Sequence, residues 1–305
     1  RLFYVIILTI IVISSTFAQD KTLGEKLVTG TENIIKDTLE HKYNFVVGDT
    51  LEYRIESADS IIVNWGSALL KKRYERIRLV CEKIDKKTGH FFISYQYDQY
   101  LGYEDKILYK RTQRDHHPWL NKKVTIEIDS LGENYSYEYS DTTSKGFTAG
   151  GPFQGLVLQP IGRKTSTKGQ SWIIKKDTSY LAENGYPTPK SILTYLVENK
   201  GEVDTLESKC VRIDNSFTGG SEVFVNNDNA LFLMTAGQNG HSENYLSEEY
   251  HIPIWVYYTQ EQNFEMELGN NKSSKGKHLS YSIFQLDRFV KGKDRTKQKK
   301  QSKNN

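Results

Sequence analysis

Between Val124 and Tyr139 the chain alternates with a period of two. Val124, Ile126 and Ile128 are separated by Thr125 and Glu127, with Asp129 next; Ser130–Glu133 can turn; then Tyr135, Tyr137 and Tyr139 are separated by Ser136 and Glu138. Neighbouring strand residues point to opposite faces, so this pattern demands two antiparallel strands with one face on a core. The same grammar recurs along the chain. Phe45, Val47, Leu51, Tyr53 and Ile55 flank a turn at Gly48–Asp49. Ile77, Leu79 and Cys81 share a face within Tyr74–Ile84, and Phe91, Ile93, Tyr95 and Tyr97 follow a turn at Lys86–Gly89. Further strands are expected at Ser171–Ile174, Ser191–Val197, Leu206–Ile213, Glu222–Val225, Ala230–Thr235, Ile252–Tyr258, Phe264–Leu268 and His278–Val290. Asn199–Glu202 and Asn226–Asn229 read as hairpin turns, and polar Asn239–Glu249 as a surface loop. A complement of 20 Tyr and 13 Phe suits pleated, half-buried surfaces. The expected class is mainly β: a curved antiparallel sheet, as a half-barrel or as two β-rich halves.

One helical segment is expected ahead of the strands, over residues 19–43. Leu23, Leu27, Ile34, Ile35 and Leu39 recur there at near-helical spacing. Gly- and Thr-rich Asp141–Gly155 is a natural seam between a first half, 44–157, and a second, 158–290. The halves echo each other. Val46–Tyr53 reads VVGDTLEY and Thr167–Ile174 reads TKGQSWII; Cys81–Asp85 reads CEKID and Cys210–Asp214 reads CVRID.

The two ends have their own chemistry. Arg1 leads an apolar run, Leu2–Ile13, closed by Ser14, Ser15, Thr16, Phe17 and Ala18. This is the pattern of a signal peptide, 1–18, cut after Ala18 with Thr16 at −3. Its apolar run is well short of the roughly 20 residues that span a bilayer, and no later stretch is long and apolar enough. The mature chain is expected without a transmembrane span, exported to a periplasm or beyond the cell. The net charge of +3 conceals an asymmetry. Lys291–Asn305 holds seven basic residues against the single acid Asp294, so the rest of the chain is net acidic. With no apolar residue, 291–305 is expected to be a disordered basic tail able to adhere to an anionic surface. Nothing in the body points to specific nucleic-acid binding.

Three local patterns resemble one family. They are Gly48–Asp49–Thr50, then Ile128–Asp129 with Gly132, then Pro160 with Gly169, Ser171 and Trp172. In this order they resemble secreted bacterial β-rich domains of the lipoprotein-carrier (LolA-like) kind. The resemblance covers about residues 43–290 and implies a half-barrel closed by helices over an apolar cavity. A lipid ligand is implied by that analogy of fold alone.

No catalytic motif stands out. His116 and His117 are adjacent beside Asp115 and Pro118, and no metal-ligand spacing accompanies them or His241 and His251. Gly169–Gln170–Ser171–Trp172 opens a strand and lacks the second Gly of a nucleophile elbow. No metal or cofactor is expected. The aromatic residues are the better lead: Tyr95, Tyr97, Trp119, Tyr135, Tyr137, Trp172 and Trp255 are candidate ligand-binding residues, able to line a lipid cavity, stack on a sugar or pack a core. Trp65 completes the set of tryptophans. Cys81 and Cys210, the only cysteines, could pair in an oxidising compartment, closing a loop worth about 4–5 kcal/mol in the chain-entropy model. Alternatively, each fills its own half's core as a reduced thiol. The expected role is an exported, non-enzymatic binding protein of the cell envelope with a hydrophobic or amphipathic ligand in a β-sheet cleft. The alternatives are a secreted hydrolase of glycans or peptides and a carbohydrate-binding module. If the leader is processed as expected, N-terminal sequencing of exported protein starts at Gln19; a mature chain that keeps Leu2–Ile13 would refute it.

Overall fold

Fourteen strands are described in the computed structural model, which covers residues 38–106, 112–115, 120–139, 157–177, 190–205, 208–227, 230–267 and 272–293. The first seven are β1 (Thr38–Glu40), β2 (Thr50–Val63), β3 (Leu69–Ile84), β4 (Phe91–Lys106), β5 (Thr112–Arg114), β6 (Lys123–Ile128) and β7 (Asn134–Tyr139). The rest are β8 (Thr165–Thr167), β9 (Ser171–Asp177), β10 (Lys190–Thr205), β11 (Ser208–Asn227), β12 (Ala230–Ser247), β13 (Pro253–Glu267) and β14 (Ser273–Val290). β1 pairs with β8 alone. The other twelve make one antiparallel sheet in the order β7-β6-β4-β3-β2-β14-β13-β12-β11-β10-β9, with β5 against β4. The first and last long strands, β2 and β14, meet in its middle.

Why the sheet curls follows from its core. One continuous apolar cluster contains Val124 and Ile126 of β6 together with Trp172 of β9, from near opposite ends of the strand order. Those faces can share a core only if the sheet rolls. It does not close into a barrel: among the described residues β7 and β9 share no ladder, although Lys176 Nζ of β9 lies 3.5 Å from the Gly132 carbonyl in the β6–β7 turn.

Two irregular segments, 41–46 and 157–161, fill one end of the roll. Their backbone groups are satisfied across the interior, as buried polar groups must be. Tyr43 N–H donates to Ser130 O, Asn44 N–H to His251 O and Ile161 N–H to Leu131 O. Asn215 Nδ2 donates to Pro160 O and Trp172 Nε1 to Ile161 O. The Tyr43 hydroxyl joins both segments to the wall, donating to Gln159 O at 2.8 Å and accepting from Asn244 Nδ2 at 3.2 Å.

Several expectations are corrected. The last six residues of the expected helix, Thr38–Tyr43, are β1 and extended chain; 1–37, with the leader, lie outside the described residues. No helix is among the described elements. Asn199–Glu202 is no turn: β10 runs straight through it with a bulge between Asn199 and Gly201. Asn239–Glu249 is no loop: residues up to Ser247 belong to β12. Tyr135 and Tyr137 do not share a face, because a register shift between Glu127 and Ile128 leaves Tyr135 as the extra residue. One inserted residue turns its side chain outward. Of the basic run, Gly292 N–H donates to Asp49 Oδ1 and Lys291 sits over the Tyr250 ring; 294–305 lie outside the described residues.

The echo between halves has a structural counterpart in its first member. Gly48 and Gly169 both take positive φ, 86° and 81°. Gly48 N–H donates to Cys81 O while Cys81 N–H donates to Asp49 O; Gly169 N–H donates to Asn199 O while Asn199 N–H donates to Gln170 O. The two turns therefore dock on equivalent points of β3 and β10. By that register Cys81 corresponds to Asn199, not Cys210. Both cysteines are free, so no bridge forms.

Tyr43→Phe removes one hydroxyl and leaves the buried Gln159 carbonyl and Asn244 amide without it. The expected cost is about 1–3 kcal/mol, read as a lower denaturation midpoint at unchanged slope. A midpoint equal to wild type would show that this hydroxyl does not tie the two segments.

Candidate functional site: a polar belt inside the rolled sheet

Along four adjacent strands the inward face turns from apolar to polar, and on three of them it turns apolar again. In β2 it reads Ile55, then Ser57 and Asp59, then Ile61. In β14 it reads Phe284, then Ser282, Ser280 and His278. In β13 it reads Val256, then Tyr258, Gln260 and Gln262, then Phe264 and Met266; in β12 buried Gln238 precedes Ala236 and Met234. The register aligns the first change: Ser57 faces Ser282, Ser282 faces Tyr258, Asp59 faces Ser280, and Ser280 faces Gln260; the second is staggered, since Ile61 faces His278, which faces Gln262. The result is a polar belt between the main core and a second apolar cluster of Met234, Ala236 and Phe264 with Ile61 and Met266.

The belt has an ionic and a neutral part. Arg73 of β3 holds Asp59 through two nitrogens, at 2.7 and 3.2 Å, and reaches Glu75 at 3.1 Å. His278 Nε2 lies 3.0 Å from Asp59 Oδ1. Burial alone would raise the Asp59 carboxyl, but the His278 contact and the Arg73 charge bring it below its usual value near 3.8. Burial likewise opposes the Arg73 charge, and Glu75 and Asp59 overcome it and hold the guanidinium protonated. Towards the β4 side, Glu104 takes Lys71 at 3.0 Å and Arg114 at 3.2 Å. Three cations thus meet three carboxylates.

Neutral side chains complete it. Gln238 Oε1 accepts from both Gln260 Nε2 and Gln262 Nε2, and Tyr258 OH donates to Gln260 Oε1 at 3.2 Å. Gln262 faces His278 across the ladder and so joins the two parts. Its own Oε1 is buried without a hydrogen-bond partner. A buried acceptor left unpaired costs about 1–3 kcal/mol.

The opposite face of the same strands carries a groove of about 470 Å³ across β3, β2, β14, β13 and β12. Leu70, Leu279 and Tyr281 supply its apolar wall, with Asn239, Thr259 and Glu261 as polar partners.

The candidate aromatic residues do not converge. Tyr95 and Tyr97 of β4 and Trp172 of β9 are buried in the main core, and Tyr137 is packed against it. Trp172 stacks on His41 at 5.4 Å; burial pushes that imidazole down to about 4. Tyr135 faces outward, stacked on His90 at 4.1 Å. Trp255 is half-buried on the outer face opposite Tyr245. Trp119 lies outside the described residues, as do His116 and His117. Burial pushes the Cys210 thiol up to about 12, which keeps it an inert core group. Among the described residues no group of three or more His, Cys, Asp or Glu could hold a metal ion.

Sequence reasoning missed the belt because it looks for apolar alternation. Asp59, Arg73, Gln238, Gln260, Gln262 and His278 occupy inward positions with polar side chains. The usable signal was the continuation of the period: Ile55, Ser57, Asp59 and Ile61 keep one parity.

Arg73→Met leaves Asp59 and Glu75 buried without their cation, a loss of about 3–5 kcal/mol. Replacing all three by apolar residues should recover most of it. Because the Asp59 value is lowered on folding, its contribution is present above about pH 4 and lost as the pH falls through the folded-state value. Chemical denaturation at stepped pH should show that loss in wild type and a smaller one in Arg73→Met. Equal acid sensitivity would remove Arg73 as its source.

No protein family matches the chain, and no curated protein does. Solved structures that match include one described as lipid–protein interactions in lipovitellin, with 9% sequence identity and a TM-score of 0.46. The alignment covers 82% of this chain and 26% of that one, so this chain spans about a quarter of that protein's length.

Proposed function

We propose that this protein is an exported binding protein of the cell envelope that holds an amphipathic ligand against the polar belt, with the ligand's apolar parts on the clusters to either side. The observation that carries this reading is the banded interior, with the unpaired Gln262 acceptor where the belt meets the second apolar cluster. A native chain tolerates such an acceptor where a donor comes from elsewhere. A hydroxyl or amide N–H of the ligand meets that need, and the neighbouring carboxamides suit a neutral, hydrogen-bonding polar portion. Each inward step along a strand is about 7 Å, so two steps of belt offer roughly 14 Å of polar wall. The LolA-like half-barrel belongs to the same reading, as does export, which rests on the leader at 1–18.

Hydrolysis is a weaker account of the belt. Asp59 and Glu75 are both committed to Arg73, and the lowered Asp59 carboxyl is a poor proton donor. The outer groove favours the carbohydrate-binding alternative, since Tyr281 offers a ring beside Asn239 and Glu261.

Organic extraction and mass spectrometry of natively exported protein should yield an amphipathic molecule near one equivalent. Gln262→Leu should reduce its occupancy at least about tenfold, the worth of one hydrogen bond to a buried acceptor, with a melting temperature equal to or above wild type. An empty wild-type protein, or unchanged occupancy in the variant, would sink the reading. A bound oligosaccharide released by Tyr281→Ala would move the site to the outer groove.

A further inference from the structure

Trp65 breaks two rules at once. It is 87% exposed, and it has a φ of 57°, in the left-handed region that bulky side chains avoid. Its place explains the backbone. Asn64 and Trp65 both take positive φ and Gly66 N–H donates to Val63 O at 2.9 Å, which is a type I′ turn at the tip of the β2–β3 hairpin. Asn suits the first central position of that turn. The second is where Gly is favoured, and the chain puts its largest side chain there.

The tip is held in place. Asn64 N–H donates to Lys275 O at 2.7 Å, and Lys275 N–H donates to Asn64 Oδ1 at 3.1 Å. Trp65 is therefore presented from a turn pinned to β14. The end of the sheet that carries it is also the end of the second apolar cluster: Val63 faces Gly276, which faces Phe264. Val63 is exposed as well, while Leu70 and Leu279, also exposed, lie farther along the sheet in the outer groove. Strain kept at an exposed aromatic tip, beside the apolar end of the interior, is a functional signature rather than a packing one.

We infer that the Trp65 tip docks this end of the sheet on a phospholipid bilayer surface. Indole, apolar in body with one polar N–H, is suited to the boundary between headgroups and acyl chains. Two nearby lysines are ion-paired, Lys275 with Glu265 at 3.3 Å and Lys277 with Glu261 at 2.8 Å. A tip with paired charges fits a zwitterionic headgroup layer better than a polyanion. The docked orientation sets the Met234–Phe264 cluster towards the membrane. An amphipathic ligand would then pass between bilayer and belt with its apolar part shielded, so the purpose of the docking rests on the proposed ligand reading.

The test uses the full exported chain and phosphatidylcholine vesicles, with cosedimentation and tryptophan emission as readouts. Wild type should cosediment, insensitive to salt, with a blue-shifted emission. Trp65→Gly removes the indole and relieves the turn. It should bind at least about tenfold less, the worth of one large apolar side chain, while melting at the same temperature or higher. Trp65→Asn, which also tolerates this φ, should behave likewise, and Trp255→Phe should leave binding unchanged. Failure of wild type to bind, or full binding by Trp65→Gly, overturns the inference. So does a Trp65-dependent dimer in solution, which would make a second copy the occupant. Ligand content, measured in the same samples, separates the two readings. Trp65-dependent binding by a ligand-free protein supports docking and removes the cargo, and a loaded protein that ignores vesicles does the reverse.

Discussion

The rolled sheet depends on the Tyr43 hydroxyl and the two segments it joins. An antiparallel sheet of twelve strands has one face to cover and, without helices among its described elements, little to cover it with. The chain covers it with itself. The sheet curls until inward residues from both flanks share a core, and 41–46 and 157–161 occupy the end that curling alone would leave open. Irregular backbone is costly in such a place unless every amide finds a partner. Here the partners come from turns and strands of both halves: Ser130 and Leu131 on one side, His251 and Asn215 on the other. The two segments therefore fix how far the halves roll towards each other, and through that the inward register on which the belt lies.

Two glycine turns play the same part in this arrangement. Each half opens with a glycine turn that clamps the neighbouring strand by a reciprocal pair of backbone hydrogen bonds, Gly48 and Asp49 on Cys81, Gly169 and Gln170 on Asn199. Positive φ at Gly48 and Gly169 makes this turn cheap only for glycine. Set side by side through β2 and β14, the halves need no linker domain between them. The same register accounts for the unbridged cysteines. Similar pentapeptides at Cys81 and Cys210 suggest equivalence, but the hydrogen-bonded equivalent of Cys81 is a buried asparagine.

What the sequence made legible is what depends on apolar periodicity. The strands built on Leu51–Ile55, Ile77–Cys81, Phe91–Tyr97 and Val124–Ile128 stand where alternation puts them, because each buries a branched or aromatic side chain every second residue. Errors gathered where burial and apolarity part company. β12 passes Gln238, Ser242 and Asn244 into the interior, so Asn239–Glu249 reads as loop although Ser242, Asn244 and Leu246 are buried at alternate positions. The bulge at Asn199–Gly201 carries turn residues without being a turn. The extra residue at Tyr135 separates tyrosines that spacing alone would place together. Alternating aromatics mark a core as readily as a ligand site, and Tyr95, Tyr97 and Trp172 are core.

The features that break local rules fall into a pattern along the sheet. Near the plugged end the inward face is apolar and its polar groups serve the two crossing segments. Midway come Asp59, Arg73, Glu75 and Gln262, whose burial is dearer than that of apolar residues of the same size. At the far end stands Trp65, strained and exposed. A chain selected for stability alone would have leucine in the belt and glycine at the turn, and neither replacement needs a change of fold. Arg73 and its carboxylates could owe their retention to specificity of strand register, since a one-residue slip would strand three charges. Register cannot account for Gln262, whose acceptor gains nothing from the fold, nor for Trp65, whose indole touches solvent. Those two residues lie at opposite ends of the apolar cluster formed by Met234, Ala236 and Phe264. An exposed indole, an apolar cluster and a polar belt follow one another along the sheet, and it is on that order that the proposed route for an amphipathic molecule rests.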